Sequence, residues 1–252
     1  MNILAIGDVV GERAIRYLEE HLWQVRKETG ADLVAVNGEN AAEIRGLTAK
    51  GAERLFLAGA DVITLGNHAF GQRDLFPVLE NDARIIRPAN FPPQTPGMGH
   101  TVIRVSGQRV LCINVCGRAF MDNYGDPFAA VETILKRESG NYDLSILDVH
   151  AEATSEKLAI ATCFDGKVDV IFGTHTHVPT ADECVLPKGT VYQTDLGMTG
   201  PVDGILGVDA EAVVEKMRSL MPARFSVSSG PIRACATLFT VPPSVPPRRI
   251  TF

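Results

Sequence analysis

Short apolar runs alternate with stretches whose apolar residues fall three and four positions apart through the first third of the chain. Asn2 to Gly7 is the first run; after a turn at Gly11, Glu12 to Thr29 carries Ile15, Leu18, Leu22 and Val25 at helical spacing. Asp32 to Val36 is a second strand of the fully buried kind, followed by Asn37-Gly38-Glu39-Asn40 and a polar loop to Gly46. Thr48 is placed to cap a helix carrying Leu55, Phe56 and Leu57 that ends near Gly59. Asp61 to Leu65 is a third strand, running into Gly66-Asn67-His68-Ala69-Phe70-Gly71. Three strand-helix units in succession predict a parallel, layered sheet with right-handed crossovers. Such sheets bind ligands outside the carboxyl ends of their strands.

The middle of the chain is punctuated differently. Pro88 to Gly99, rich in proline and glycine, reads as a loop, and His100 to Val105 and Arg109 to Val115, joined at Ser106-Gly107-Gln108, read as a β-hairpin. A helix is expected over Pro127 to Glu138, a strand over Asp143 to Val149 delivering His150, a helix over Ser155 to Phe164, and a strand over Val168 to Phe172. That last run breaks at Gly173 and delivers His175 and His177. The tail holds a strand at Thr190 to Gln193, a Gly-rich loop from Gly197 to Gly207, a helix over Ala210 to Leu220 and an alternating run from Ile232 to Val241. Pro242 to Pro247 then closes regular structure. The expected fold class is α/β, a two-layer or α/β/α sandwich around mixed β-sheets. One domain over residues 1–252 is expected, with no repeat and no linker.

Composition narrows the partners. With 45% hydrophobic and 21% charged residues the chain is ordinary for a globular protein, and no apolar run approaches the roughly 20 residues that span a bilayer. No membrane is expected as partner, and the opening Met1-Asn2-Ile3-Leu4-Ala5-Ile6 lacks the basic segment of an export signal. The five cysteines form no C-x-x-C pair and lie mostly in apolar runs, so they are expected as buried free thiols in a cytoplasmic protein. A net charge of -6 argues against a long nucleic acid and leaves a small anionic substrate, which would need local positive charge such as metal ions supply.

The chemistry sits where the runs end. Of six histidines, His68, His150, His175 and His177 follow apolar runs, whereas His21 and His100 do not and read as structural or solvated. Alone, the His175-x-His177 pair reads equally as two surface histidines, and Asp8 or Glu39-Asn40 as turn residues. Together, Asp8, Glu39 with Asn40, Asn67 with His68, His150, and His175 with His177 place metal-ligand types at five strand ends, which a single sheet would bring to one rim. Carboxylates, amide oxygens and imidazoles mixed in this way suit a pair of divalent first-row ions better than a thiolate or all-oxygen site. Two ions about 3.5 to 4 Å apart need a bridging ligand, and Glu39 is the candidate.

The ordered set Gly7-Asp8, Gly38-Glu39-Asn40, Gly66-Asn67-His68, His150, Gly173-Thr174-His175-Thr176-His177 resembles the calcineurin-like metallophosphoesterases. Two departures stand out: Val10 occupies the place of a usual histidine, and the bridging acid is Glu39 rather than an aspartate. With Gly-Asp-Val-Val-Gly at the start and Thr194-Asp195-Leu196-Gly197-Met198-Thr199-Gly200-Pro201 near the end, they make the chain resemble the bacterial YmdB-like phosphodiesterases. The resemblance implies a metallophosphoesterase-like α/β/α sandwich. It implies Asp8, Glu39, Asn40 and His177 on one metal and Glu39, Asn67, His150 and His175 on the other. With Asn40 in place of the absent histidine the site is oxygen-rich, favouring iron or manganese over zinc as two divalent or mixed-valence ions. It further implies His68 as the catalytic histidine and in-line attack on phosphorus by a hydroxide held between the metals.

The function so implied is a phosphodiesterase acting on small phosphodiesters, 2′,3′- or 3′,5′-cyclic nucleotides. The alternatives are a phosphomonoesterase or nucleotidase with the same metals, and a non-catalytic metal- or nucleotide-binding regulatory protein. Met198 and Thr199 are candidates to approach the site, while Arg118 reads as a surface loop arginine. Oligomers are common among such enzymes, and a homo-oligomer is the expected assembly.

Overall fold

The computed structural model describes residues 1–43 and 45–252. The first half of the chain forms β1 (Asn2–Ile6), β2 (Asp8–Val9), α1 (Glu12–Thr29), β3 (Leu33–Asn37), α2 (Ala49–Ala58), β4 (Val62–Thr64), α3 (Phe76–Asn81), β5 (Ile85–Ile86), β6 (His100–Val105) and β7 (Gln108–Cys116). The second half adds α4 (Pro127–Arg137), β8 (Leu144–His150), α5 (Thr154–Phe164), β9 (Val170–Thr174), β10 (Cys184–Val185), β11 (Val191–Gln193), β12 (Met198–Pro201), α6 (Ala210–Ser219), β13 (Ile232–Thr240) and β14 (Arg248–Thr251).

Among the described residues these strands make two mixed sheets. The first runs β2-β12-β13-β1-β3-β4-β5 with β14 also on β13, and the second runs β10-β11-β9-β8-β7-β6. The strands β1, β3, β4 and β5 are parallel, as are β7, β8, β9 and β11. The sheets pack face to face, and the two-residue period of a strand shows it directly. Ile3 and Ala5 join Val110, Cys112, Val170 and Phe172 in a core between the sheets. Their neighbours Leu4 and Ile6 instead meet Ile15, Leu18 and Leu22 of α1 on the outer side. Leu111, Ile113 and Ile171 face Ile134 of α4 and Ile160 of α5. The mixed-sheet α/β sandwich expected from sequence is therefore present, with its middle layer doubled.

Local signals explain the element ends. Thr48 Oγ1 accepts from Gly51 N at 2.9 Å and caps α2, and Gly59 ends it in the left-handed region. Ser106 and Gly107, at φ 50° and 80°, form the two-residue hairpin turn between β6 and β7. Two expectations need correction. The Gly197–Gly207 segment is not wholly loop: β12 pairs Met198 with Asp8 and Thr199 with Val9. Regular structure does not end at Pro247, because β14 follows and pairs β13. The short α3, β5 and β10 carried too few periodic positions to be read. Of the expected polar loop to Gly46, Ile44 lies outside the described residues. His21 packs against Tyr17 with the rings tilted by 44° and His100 pairs with Glu138, and neither joins the cluster described below. The five cysteines are free, with Cys112, Cys116 and Cys235 buried.

Candidate metal centre

The eight candidate side chains converge at one rim, but two sheets supply them. Asp8, Glu39, Asn40, Asn67 and His68 come from the first sheet, and His150, His175 and His177 from the second. The single-sheet expectation fails because strands buried on both faces read as unbroken apolar runs whichever sheet they join. Glycines let the segments meet. A Cβ on Gly7 would stand 2.1 Å from the Gly197 carbonyl oxygen, and one on Gly66 would stand 2.3 Å from both Glu39 Oε2 and His150 Nε2. His175 and His177 sit at φ 100° and 63°, conformations a non-glycine residue adopts only under tertiary constraint. Asp8 Oδ2 accepts from His175 N (3.1 Å), and between the two histidines Asp195 accepts from Thr176 N (3.1 Å) and Thr176 Oγ1 (2.8 Å) as well as from Lys157 Nζ (2.6 Å) and Gly197 N (2.8 Å).

Two groups of donor atoms share the Glu39 carboxylate. On one side, Glu39 Oε1 lies 3.1 Å from Asn40 Nδ2, which lies 3.2 Å from His177 Nε2, itself 3.8 Å from Asp8 Oδ1. On the other side, His150 Nε2 lies 3.2 Å from Glu39 Oε1, 3.0 Å from Asn67 Oδ1 and 3.0 Å from His175 Nδ1. Each of the three imidazoles has its outer nitrogen tied to an oxygen. His150 Nδ1 meets Thr174 Oγ1 at 2.8 Å, His175 Nε2 meets Glu152 Oε2 at 3.1 Å, and His177 Nδ1 meets the Leu206 carbonyl at 3.0 Å. Metal-ligating histidines are oriented in this way.

The donor set fits metal ions. His150 Nε2 carries at most one proton yet faces three lone-pair-bearing atoms, a surplus of acceptors that a cation resolves. Glu39, His150 and His175 offer ligand atoms within 4.8 Å of one another. Asp8 Oδ1 is buried and has no hydrogen-bond partner among the described residues. Asn40 turns its Nδ2 to this group and its Oδ1 to His68, so ligation through oxygen requires a half-turn of the amide, which leaves its shape unchanged.

Electrostatics agree. Burial pushes the Asp8 carboxyl up. Burial opposes the charge on Glu39 too, but His150 and His68 outweigh it and hold the carboxyl well below its ordinary range. Burial would lower His150; Glu39, Asp8 and Asp148 reverse this and carry it to about 9. Burial and the neighbouring His150 drop His175 to about 3. A cavity of about 280 Å³ opens above, lined by Val10, His68, Glu152, Leu206 and Val208 as well as the ligand candidates. His68 Nδ1 lies 2.8 Å from Asn40 Oδ1 and 3.2 Å from Glu39 Oε1, which leaves Nε2 as its ring nitrogen without a partner among the described residues.

Of the weaker candidates, Met198 pairs with Asp8 and Thr199 with Val9 on the neighbouring strand, Arg118 is exposed with its backbone N on Glu156, and none of the three lines the cavity. Sequence reasoning quoted Thr174 and Asp195 within motifs without giving them a role, and missed Asp148, Glu152 and Lys157. Asp148 had one signal, standing two residues before His150 and so on the same strand face. Lys157 had none.

A family model described as YmdB-like protein matches residues 4–246. The chain is 42% identical over 230 residues to a 2′,3′-cyclic-nucleotide 2′-phosphodiesterase of Bacillus subtilis (strain 168), covering 91% of this chain and 87% of that one. A hypothetical protein from Thermus thermophilus has a crystal structure matching at a TM-score of 0.94 and 40% identity, covering 100% of this chain and 99% of that one. The structure of a novel phosphatase from Mycoplasma pneumoniae matches at 0.93 and 32%, covering 100% and 93%. Matched by the family model over residues 4–246 and sharing its fold along its whole length, the chain belongs to the YmdB-like family of calcineurin-like metallophosphoesterases.

Proposed function

We propose that this chain, a single domain over residues 1–252, is a cytoplasmic dinuclear-metal phosphodiesterase acting on small phosphodiesters, with 2′,3′- or 3′,5′-cyclic nucleotides as the substrate class. The observation that carries the reading is the sharing of Glu39 by two groups of donors, with a buried, unpartnered Asp8 Oδ1 in one and three acceptors around His150 Nε2 in the other. Asp8, Glu39, Asn40 and His177 would hold one ion, and Glu39, Asn67, His150 and His175 the second. The oxygen-rich first set suits iron or manganese better than zinc. Bound there, the ions would supply positive charge for the phosphate oxygens and a water of lowered pKa for in-line displacement.

The protein's own groups do the rest. His68 keeps its Nδ1 proton on Glu39 Oε1 and gives an Nε2 proton to the leaving oxygen. Val10, Leu206 and Val208 give the cavity an apolar wall against which the non-phosphate arm of a diester would rest. The 42% identity to a 2′,3′-cyclic-nucleotide 2′-phosphodiesterase supports the substrate class.

The test pairs elemental analysis of protein purified without added metal with hydrolysis of bis-p-nitrophenyl phosphate against p-nitrophenyl phosphate. About two iron or manganese ions per chain and preference for the diester are expected, followed by turnover of cyclic nucleotides. Preference for the monoester would make the chain a phosphomonoesterase. Absence of metal and of hydrolysis after reconstitution would make it a binding protein.

A further inference from the structure

Beneath the candidate metal ligands, a set of polar side chains is buried between the two sheets. Asp148 is fully buried in β8, and among the described residues no lysine or arginine pairs with it. Its partners are neutral donors from both sheets: Asn37 Nδ2 at 3.1 Å from β3, the Thr64 hydroxyl from β4, and Thr174 Oγ1 at 2.8 Å from β9. A carboxylate buried without a lysine or arginine depends on hydrogen bonds from its surroundings, and this one is surrounded by groups that also touch the ligand candidates.

The direction of every hydrogen bond here follows from one end. The backbone N–H of Glu39 can only donate, and it donates to Asn37 Oδ1 at 3.2 Å. The Asn37 amide is thereby oriented, with Nδ2 toward Asp148 and toward Thr174 Oγ1 at 3.3 Å. The Thr174 hydroxyl accepts from Asn37 and gives its single proton to Asp148 Oδ1. Its remaining lone pair faces His150 Nδ1 at 2.8 Å, so Nδ1 carries a proton. Nε2, the nitrogen facing Glu39, Asn67 and His175, is left with its lone pair when the ring is neutral.

We propose that Asp148, acting through Thr174, is a positioning residue that holds His150 in its Nδ1–H form and so assigns Nε2 as the metal-ligating atom. The proposal rests on the two-metal reading above. The polarity makes it specific. In Asp148→Asn, an NH₂ turned to Thr174 would make that hydroxyl accept there and donate to His150 Nδ1, selecting the opposite tautomer. Turned the other way, the NH₂ would face Asn37 Nδ2, donor against donor.

The experiment compares wild type with Thr174→Val, which keeps the shape and deletes the hydroxyl, Thr174→Ser, which restores it, and Asp148→Asn. Affinity for Mn²⁺ is measured by chelator competition from the loaded protein, and ¹⁵N-histidine NMR of the zinc-loaded protein reads the protonation of His150. Thr174→Val and Asp148→Asn should weaken binding of one ion ten- to hundredfold, roughly the effect of losing an outer partner of a metal-bound histidine. Thr174→Ser should stay near wild type, and wild-type His150 should show a protonated Nδ1. Should Thr174→Val not fold, Asp148→Asn and the wild-type spectrum decide. Unchanged affinity in both variants, or an unprotonated Nδ1 in wild type, would overturn the proposal alone. A wild-type chain that binds no metal would overturn the two-metal reading together with it.

Discussion

His68 is the one candidate whose ring has a nitrogen left for a substrate. Its Nδ1 is engaged by Asn40 Oδ1 and Glu39 Oε1, and its backbone N–H donates to Glu39 Oε2 at 3.0 Å, so the residue is held from two sides while Nε2 stays free. Replacing it with Ala should lower kcat about 10²- to 10⁴-fold while leaving metal content near wild type, as read by steady-state kinetics beside elemental analysis. Loss of metal instead would make His68 a ligand. At this scale the site was legible: Asp8, Glu39, Asn40, Asn67, His150, His175 and His177 stand out because polar residues able to bind metals recur where apolar runs end. Thr174 and Lys157 were not, since a hydroxyl or a lysine inside an element looks the same in sequence whether it is solvated or, as here, buried against a partner.

At the scale of elements, the turns after the strands matter more than the strands. The loop after β4 crosses the cluster at Gly66, where a methyl group would overlap Glu39 Oε2 and His150 Nε2 at 2.3 Å. Gly66→Ala should therefore fold yet bind metal at least tenfold more weakly, measured by chelator competition and checked by thermal unfolding of the metal-free protein. Wild-type affinity in a folded variant would show that the loop can move aside. The helix ends were readable because capping chemistry is local: Thr48 and Gly59 mark α2 without help from the fold. The strand β12 was not readable, because Met198-Thr199-Gly200-Pro201 has little strand propensity and is held by β2 and β13 on either side.

In the whole molecule, the cluster clasps one sheet to the other. His150 from the second sheet faces Glu39 and Asp8 from the first, and its pKa is carried from 6.5 to about 9 despite burial. A raised folded-state value means the proton stabilises the metal-free fold fully below about pH 6.5, and this is lost as pH rises through about 9. The contribution is on the order of 3 kcal/mol. The urea midpoint of metal-stripped protein should fall between those pH values, whereas that of loaded protein, where ions replace the proton, should fall much less. Parallel curves would show that the clasp does not depend on the His150 proton.

The sequence alone determined the strand-helix order of the first half, most element ends and the identity of the candidate ligands, because periodicity, capping and residue chemistry are local properties. Tertiary structure alone decided that two sheets rather than one build the rim, that Glu39 lies between two groups of donors, and that Asp148, Lys157 and Asp195 lie beneath them. These depend on contacts between residues far apart in the chain, such as Asn37 with Asp148, and on which face of a doubly buried strand meets which layer. An apolar run buried on both faces carries no mark of that choice.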